Sequence, residues 1–257
     1  MNLLASLISG SALPVKRHGL SGLIGEPGVS PYPDSLGSDG NATSVNGATL
    51  NEVNEILGTG CFSFDGTNDT CVLPNDLDEM LSGAFTFSCW AYASSASSSG
   101  NITIISKPYT TNWSSPYHSF TLQQNGSNFE FVTNDGSDYV VINNAVGGTG
   151  WHNLVVTKTS GNLFSFYVDD DTPETDTIDT TWGTQAWTIG NTPYNSRYWN
   201  SYIDDMVFLK RVITSDEIES LYNSGSGNLA STLDHTGIIA SYTFDDITLP
   251  NSAIPIE

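Results

Sequence analysis

Between Cys61 and Leu209, apolar side chains return at every second position in short runs separated by Gly, Asn, Asp and Pro. A period of two gives each segment one apolar face, and that face is stable only when a second layer covers it. Phe62 and Phe64 flank Ser63, while Phe85, Phe87, Cys89 and Ala91 alternate with Thr86, Ser88, Trp90 and Tyr92. In HSFTLQQNGSNFEFV, Phe120 and Leu122 are set to face Phe129 and Phe131 across Asn125-Gly126, a pair suited to a tight hairpin turn. Further strands are expected at Tyr139–Ile142, Trp151–Lys158, Leu163–Val168, Ala186–Ile189 and Tyr202–Leu209. Many short strands with turn chemistry between them predict an all-β chain, an antiparallel two-sheet β-sandwich.

One segment breaks the alternation. Thr214-Ser215-Asp216-Glu217 is a capping box, in which the Thr hydroxyl and the Glu carboxylate satisfy backbone amides reciprocally. Ile218, Leu221 and Tyr222 then make an apolar stripe and Gly225 supplies a stop, so one short helix is expected near residues 215–223. Residues 1–33 read as an N-terminal arm and residues 34–226 as the sandwich. Residues 227–257 hold one more strand, GIIASYTFDD, and a tail. The serine-rich run at 94–100 is a loop within the sandwich.

Lys and Arg number 7 against 28 Asp and Glu, a formal net charge of −21. Such a surface repels phosphate backbones, which excludes nucleic acid as a partner. No stretch approaches the roughly 18–20 apolar residues of a membrane span. The opening MNLLASLISGSALPVKRHG places Lys16 and Arg17 after its apolar run, the reverse of a secretory leader, and predicts an uncleaved arm. Three cysteines are too few for a disulfide framework. Cys61 and Cys71 flank an expected hairpin, CFSFDGTNDTCV, in which they could pair if the compartment is oxidising. The other reading, two small buried apolar residues, stays equally open. Cys89 reads as a core position. The four histidines show no zinc spacing, and no nucleophile–base context or phosphate-binding loop is present. The five N-x-S/T sequons match what chance gives in so Asn-, Ser- and Thr-rich a chain.

The pieces DSLGSDGNATSVNGATL, CFSFDGTNDTCVLP, FTFSCWAYA, IISKP, WHNLVVTKTSGNLFSFYVD, WTIGN and YIDDMVFLKRVITSDEIESLY follow one another from about Asp34 to Gly225. Together they resemble the laminin G-like, concanavalin A-like jelly-roll family. The resemblance implies two curved antiparallel sheets, often with calcium at the sandwich edge. It also implies binding of glycans, proteins or cell surfaces, with glycosidases a minority. Two departures stand out. Asp170 and Asp171 follow the Tyr-Val-Asp turn where the family has Gly, and the family's first strand is poorly matched before Asp34. GIIASYTFDD at 237–246 is the better copy, so the C-terminal strand is expected to fill that first-strand slot, in its own sandwich or a neighbour's.

Three chemistries follow as expectations. The resemblance places a calcium ion at Asp34, Asp39 and Asp204, with Asp245 joining them. A carbohydrate surface is expected at Trp113, Trp182, Tyr194, Tyr198 and Trp199, aromatic residues in or beside loops, with Arg197 as hydrogen-bonding partner. Trp90 and Trp151 are left out because the family keeps core residues there. Glycoside hydrolysis needs two carboxyls roughly 5–5.5 Å apart. Its only echo is Glu174, Asp176 and Asp179 in a Thr-rich turn, which reads as a solvated acidic loop.

The expected function is a non-enzymatic structural or decoration protein displaying a lectin-like sandwich on a virus or phage particle. Its N-terminal arm and C-terminal strand would dock it to other structural subunits in a homo-oligomer. The alternative is a secreted or cell-surface carbohydrate-binding adhesion module, and a polysaccharide hydrolase stands furthest away.

Overall fold

The computed structural model describes residues 44–244, apart from 74, 95–99, 113, 146–147, 194, 230–231 and 235. The N-terminal arm 1–33, Asp34, Asp39, Trp113, Tyr194 and Asp245 therefore lie outside the described residues.

The strands are β1 (Ser44–Asn46), β2 (Thr49–Asn51), β3 (Cys61–Ser63), β4 (Thr70–Leu73) and β5 (Phe85–Ala93). Then come β6 (Asn101–Pro108), β7 (His118–Asn125), β8 (Asn128–Asn134), β9 (Tyr139–Ala145) and β10 (Gly150–Lys158). The chain continues through β11 (Leu163–Val168), β12 (Glu174–Thr177), β13 (Trp187–Ile189), β14 (Tyr202–Leu209), helix α1 (Ser215–Tyr222) and β15 (Ile238–Tyr242). Among the described residues one sheet runs β1-β4-β13-β6-β7-β8-β9 and the other β12-β11-β10-β5-β14-β3-β2, with β15 also on β14. The strand pairings among the described residues are antiparallel.

The core lies between the sheets and is aromatic. Phe87, Phe164 and Phe208 of the second sheet meet Phe120, Phe131 and Trp187 of the first. Ring centroids are 5.5 Å apart for Phe87–Phe120 and Phe131–Phe164, and 5.8 Å for Trp187–Phe208. Such edge-to-face and offset pairs add about 0.5–1.5 kcal/mol beyond burial. Helix α1 seals the other side of the second sheet, where Ile218 and Leu221 pack with Val155, Val207 and Leu209. Its capping box forms as expected around Thr214 and Glu217. The helix has the expected extent, but its stop is Asn223, which takes the left-handed conformation (φ 46°) two residues before Gly225.

The CFSFDGTNDTCV hairpin does not form. Cys61 pairs with Asn51 in one sheet and Cys71 with Val45 and Ile189 in the other, so the segment crosses between layers. All three thiols are free and buried. The positive φ of this turn falls on Asp169 (φ 60°), the last residue of the Tyr-Val-Asp sequence, not on Asp170 or Asp171. Trp90 and Trp151 are not between the sheets. Cys89 and Ala91 take those positions, while Trp90 stacks on Tyr222 of α1 and Trp151 meets Tyr92 edge-on.

The C-terminal strand pairs inside its own chain. Met206, Val207 and Phe208 of β14 face Tyr242, Ser241 and Ala240 of β15. Phe244, just beyond, lies 4.4 Å from the ring of Phe62.

Candidate functional site

The side of β6–β9 that faces away from the core carries a cleft of about 340 Å³. It is lined by Asn101, Tyr117, His118, Gln123, Asn125, Glu130, Val132, Tyr139, Val141 and Arg197. Its size falls at the lower end of the about 300–1,000 Å³ usual for small-molecule sites.

Register explains why these side chains converge. The β7–β8 turn sets Gln123 opposite Glu130 and Asn125 opposite Asn128. The next ladder places Val141 beside Val132 and Tyr139 beside Asn134. Phe120, Leu122, Phe129 and Phe131 point into the core, so their alternates Gln123, Asn125, Glu130 and Val132 face the cleft.

Arg197 arrives from the loop after β13. The loop leaves the strand through Gly190 (φ 79°), where a Cβ would sit 2.2 Å from the Phe64 ring. Only glycine fits that turn. Thr103 N–H donates to the Arg197 carbonyl at 3.1 Å, and Thr103 and Thr192 hydroxyls meet at 2.6 Å, which fastens the loop to β6.

The floor of the cleft is a hydrogen-bonded chain. Arg197 Nη1 donates to Gln123 Oε1 at 3.2 Å, and Gln123 Nε2 donates to Glu130 Oε2 at 2.5 Å. Asn125 Nδ2 donates to Glu130 Oε1 at 2.9 Å. With its oxygen turned toward the guanidinium, the Asn195 amide accepts from Arg197 Nε at 2.7 Å and Nη2 at 3.2 Å. Gln123 and Glu130 are buried, so amide donation is what keeps the carboxylate charge tolerable there. Burial lowers the Arg197 pKa, an effect opposed by Glu130 and Tyr139. Burial, and then the Arg197 charge, push His118 down to about 3, so its ring is neutral, with Nδ1 2.8 Å from Thr121 Oγ1.

At the rim stands Tyr139, 51% exposed. Tyr117 and His118 hold its ring by edge-on contacts at 6.1 and 6.3 Å. The result is an open aromatic surface beside fixed amide and carboxylate groups, an arrangement suited to a polar ligand with an apolar face.

Of the sequence-predicted sugar residues, Arg197 lines this cleft. Trp199 is fully buried, with its indole N–H donated to Tyr202 O at 3.3 Å, so it offers no face to a ligand. Trp182 packs against the core, 6.2 Å from Phe85. Tyr198 is half-buried and does not line the cleft. Gln123, Asn125, Glu130 and Tyr139 were missed; their signal was the row of amides and acid at the outward positions of TLQQN and NFEFV.

Of the four expected calcium ligands only Asp204 is among the described residues, and no three His, Cys, Asp or Glu side chains among those residues come together to hold a metal. Asp204 is fully buried. Its Oδ2 accepts from the amides of Ile56 (3.3 Å) and Leu57 (3.1 Å), and Oδ1 from Asp205 N–H (2.8 Å). Its carboxylate anchors a loop. Glu174 and Asp176 lie on the exposed strand β12, and Asp179 is exposed beyond it. Among the described residues no helix is long and apolar enough to cross a membrane.

The family described as the concanavalin A-like lectin/glucanases superfamily (Laminin_G_3) matches residues 65–219. No curated protein matches the chain. Similar solved structures include the receptor binding domain of botulinum neurotoxin C/D mosaic serotype, with TM-score 0.58 and 13% identity over 73% of this chain and 47% of that one. Another accompanies the finding that cell entry of botulinum neurotoxin type C depends upon interaction with two ganglioside molecules (TM-score 0.56, 17% identity, 72% and 46%). A third is the binding domain of botulinum neurotoxin DC in complex with rat synaptotagmin II (TM-score 0.54, 14%, 72% and 47%). The chain thus spans less than half of the length of these neighbours, and at such identity the likeness is one of fold.

Proposed function

The chain belongs to the concanavalin A-like lectin/glucanases superfamily, and from that premise we propose that it is a non-enzymatic, lectin-like module that attaches a surface to glycans through the β6–β9 cleft. The observation that carries this reading is the half-exposed Tyr139 ring set beside the Arg197–Gln123–Glu130 chain. Stacking surface plus planar hydrogen-bonding groups is what sugar hydroxyls and ring carbons require.

The setting we assign is the outside of a virus or phage particle. There the sandwich is displayed and residues 1–33 dock it to other structural subunits in a homo-oligomer. The support is the Gly- and Pro-rich composition of that arm. The C-terminal strand serves its own sandwich in this scheme. A second reading, a secreted or cell-surface adhesion module, is favoured by the receptor-binding role described for the structural neighbours. Calcium at Asp34, Asp39, Asp204 and Asp245 has no part in either reading. Asp204, the one described member of that set, gives both oxygens to backbone amides.

Incubation of the purified chain with a panel of glycans, followed by assay for bound protein and for new reducing ends, tests the proposal. Capture without cleavage is expected. Cleavage that disappears in Glu174→Gln would overturn it in favour of a hydrolase. Sedimentation separates the two settings: an oligomer supports particle display, a monomer the adhesion module.

A further inference from the structure

Resting on the glycan-binding reading of the cleft, we propose that its ligand is an uncharged pyranose, stacked on Tyr139, and that it is held by protein groups alone, without a metal ion.

The charge of the cleft closes on itself. Among the described residues lining it, Arg197 and Glu130 are the only ones of fixed opposite charge, and they are joined through Gln123. The guanidinium directs Nη1 to Gln123 and Nε and Nη2 to the Asn195 oxygen, so it works as a strut between loop and sheet. An anion receptor would present those same donors as a fork toward the ligand. His118 adds no positive charge, since burial keeps its ring neutral. Around this neutral pocket the chain carries a net charge of −21, whose field opposes the approach of a sialylated or sulfated sugar.

The donor set argues equally against a bound cation. Hard cations collect several carboxylate and carbonyl oxygens. Glu130 is the single carboxylate among the described residues of the cleft, both of its oxygens accept amide hydrogens, and a guanidinium stands nearby. A divalent ion would have to displace those amides and approach a positive charge. A hydroxyl needs neither. It can donate to a carboxylate lone pair left over from the amide bonds, since each oxygen offers about two sites. The open Tyr139 ring then takes the apolar face of the sugar.

The test is a printed array of neutral, sialylated and sulfated oligosaccharides, probed with the full chain in calcium and again in EDTA. Hits confined to neutral glycans and unchanged by EDTA are expected. Tyr139→Ala should weaken the strongest hit about tenfold, the loss of one aromatic contact worth about 1.4 kcal/mol. Tyr139→Phe should retain it. The position is exposed, so melting of both variants should match the parent and separates ligand loss from unfolding. Preference for charged glycans, or binding abolished by EDTA, overturns this inference and leaves glycan binding standing. Unchanged binding by Tyr139→Ala overturns the stacking site. If no printed glycan is captured at all, the proposed function falls, and this inference with it.

Discussion

Lys107 and Asp78 form an ion pair at 2.8 Å in which the lysine is completely buried and the carboxylate is 37% exposed. Lys107 Nζ also donates to Gln185 O at 2.5 Å and lies over the Trp187 ring, whose own N–H donates to Asp78 Oδ1 at 2.8 Å. One carboxylate therefore ties the 3-10 segment Asn75–Ser82 to β6 and β13. Among the described residues, Asp78→Ala leaves a buried ammonium with only the Gln185 carbonyl and the Trp187 ring beside it. The cost expected is about 3–5 kcal/mol, toward the low end because water reaches the carboxylate side. Urea unfolding measures it, and Lys107→Met in the same background should restore most of the loss. A single variant within about 1 kcal/mol of the parent would contradict this picture.

His118 should make the fold acid-sensitive. Its pKa is lowered, by burial first and by Arg197 second, to about 3 from the ordinary histidine value of 6.5. Between those values the unfolded chain binds more protons than the folded one. The stability this residue contributes is thus complete above about 6.5 and is lost as pH falls toward about 3. Thermal melts across that window should show a shallower acid slope for His118→Gln than for the parent.

The thiols should be silent until the protein unfolds. Burial pushes Cys61 and Cys71 up to about 12, with Asp204 and Glu55 adding to the effect at Cys61, and burial raises Cys89 as well. A thiol reagent at pH 8 should label none of the three in the native chain and all of them in denaturant. Melting should be the same with and without reductant. A reductant-sensitive melt would revive a Cys61–Cys71 bond.

Ending the chain after Gly237 should be severe. It removes β15 from β14 and takes Ala240, Tyr242 and Phe244 out of the core. Loss of one buried aromatic alone costs about 3–5 kcal/mol, so the truncated chain should be largely insoluble or unfold early in urea. Expression and refolding of this variant decide it. A truncation as stable as the parent would mean the strand is dispensable.

Much of the architecture was readable because its causes are local. The hairpin through Gly126 follows from alternation on either side of one turn, and Leu163–Val168 and Tyr202–Leu209 match the expected strands residue for residue. Thr214 and Glu217 cap α1 within four consecutive residues. The cleft was half readable: Arg197 is among the expected residues, but the aromatic partner is expected among Trp113, Trp182, Tyr194, Tyr198 and Trp199, and the half-exposed ring at the cleft is Tyr139. Aromatic character says that a ring prefers burial; which ring finds room depends on the opposite layer.

Period-two patterning, turn residues and capping act over a few positions, and they suffice for two apolar-faced layers of short antiparallel strands with one capped helix. Long-range pairing puts Cys61 and Cys71 in different sheets, closes β15 onto β14, and brings Arg197 to Gln123 across 74 positions of chain. Those outcomes rest on which edges pair and which faces are covered, and the free energy of such contacts exists only once both distant segments are in place.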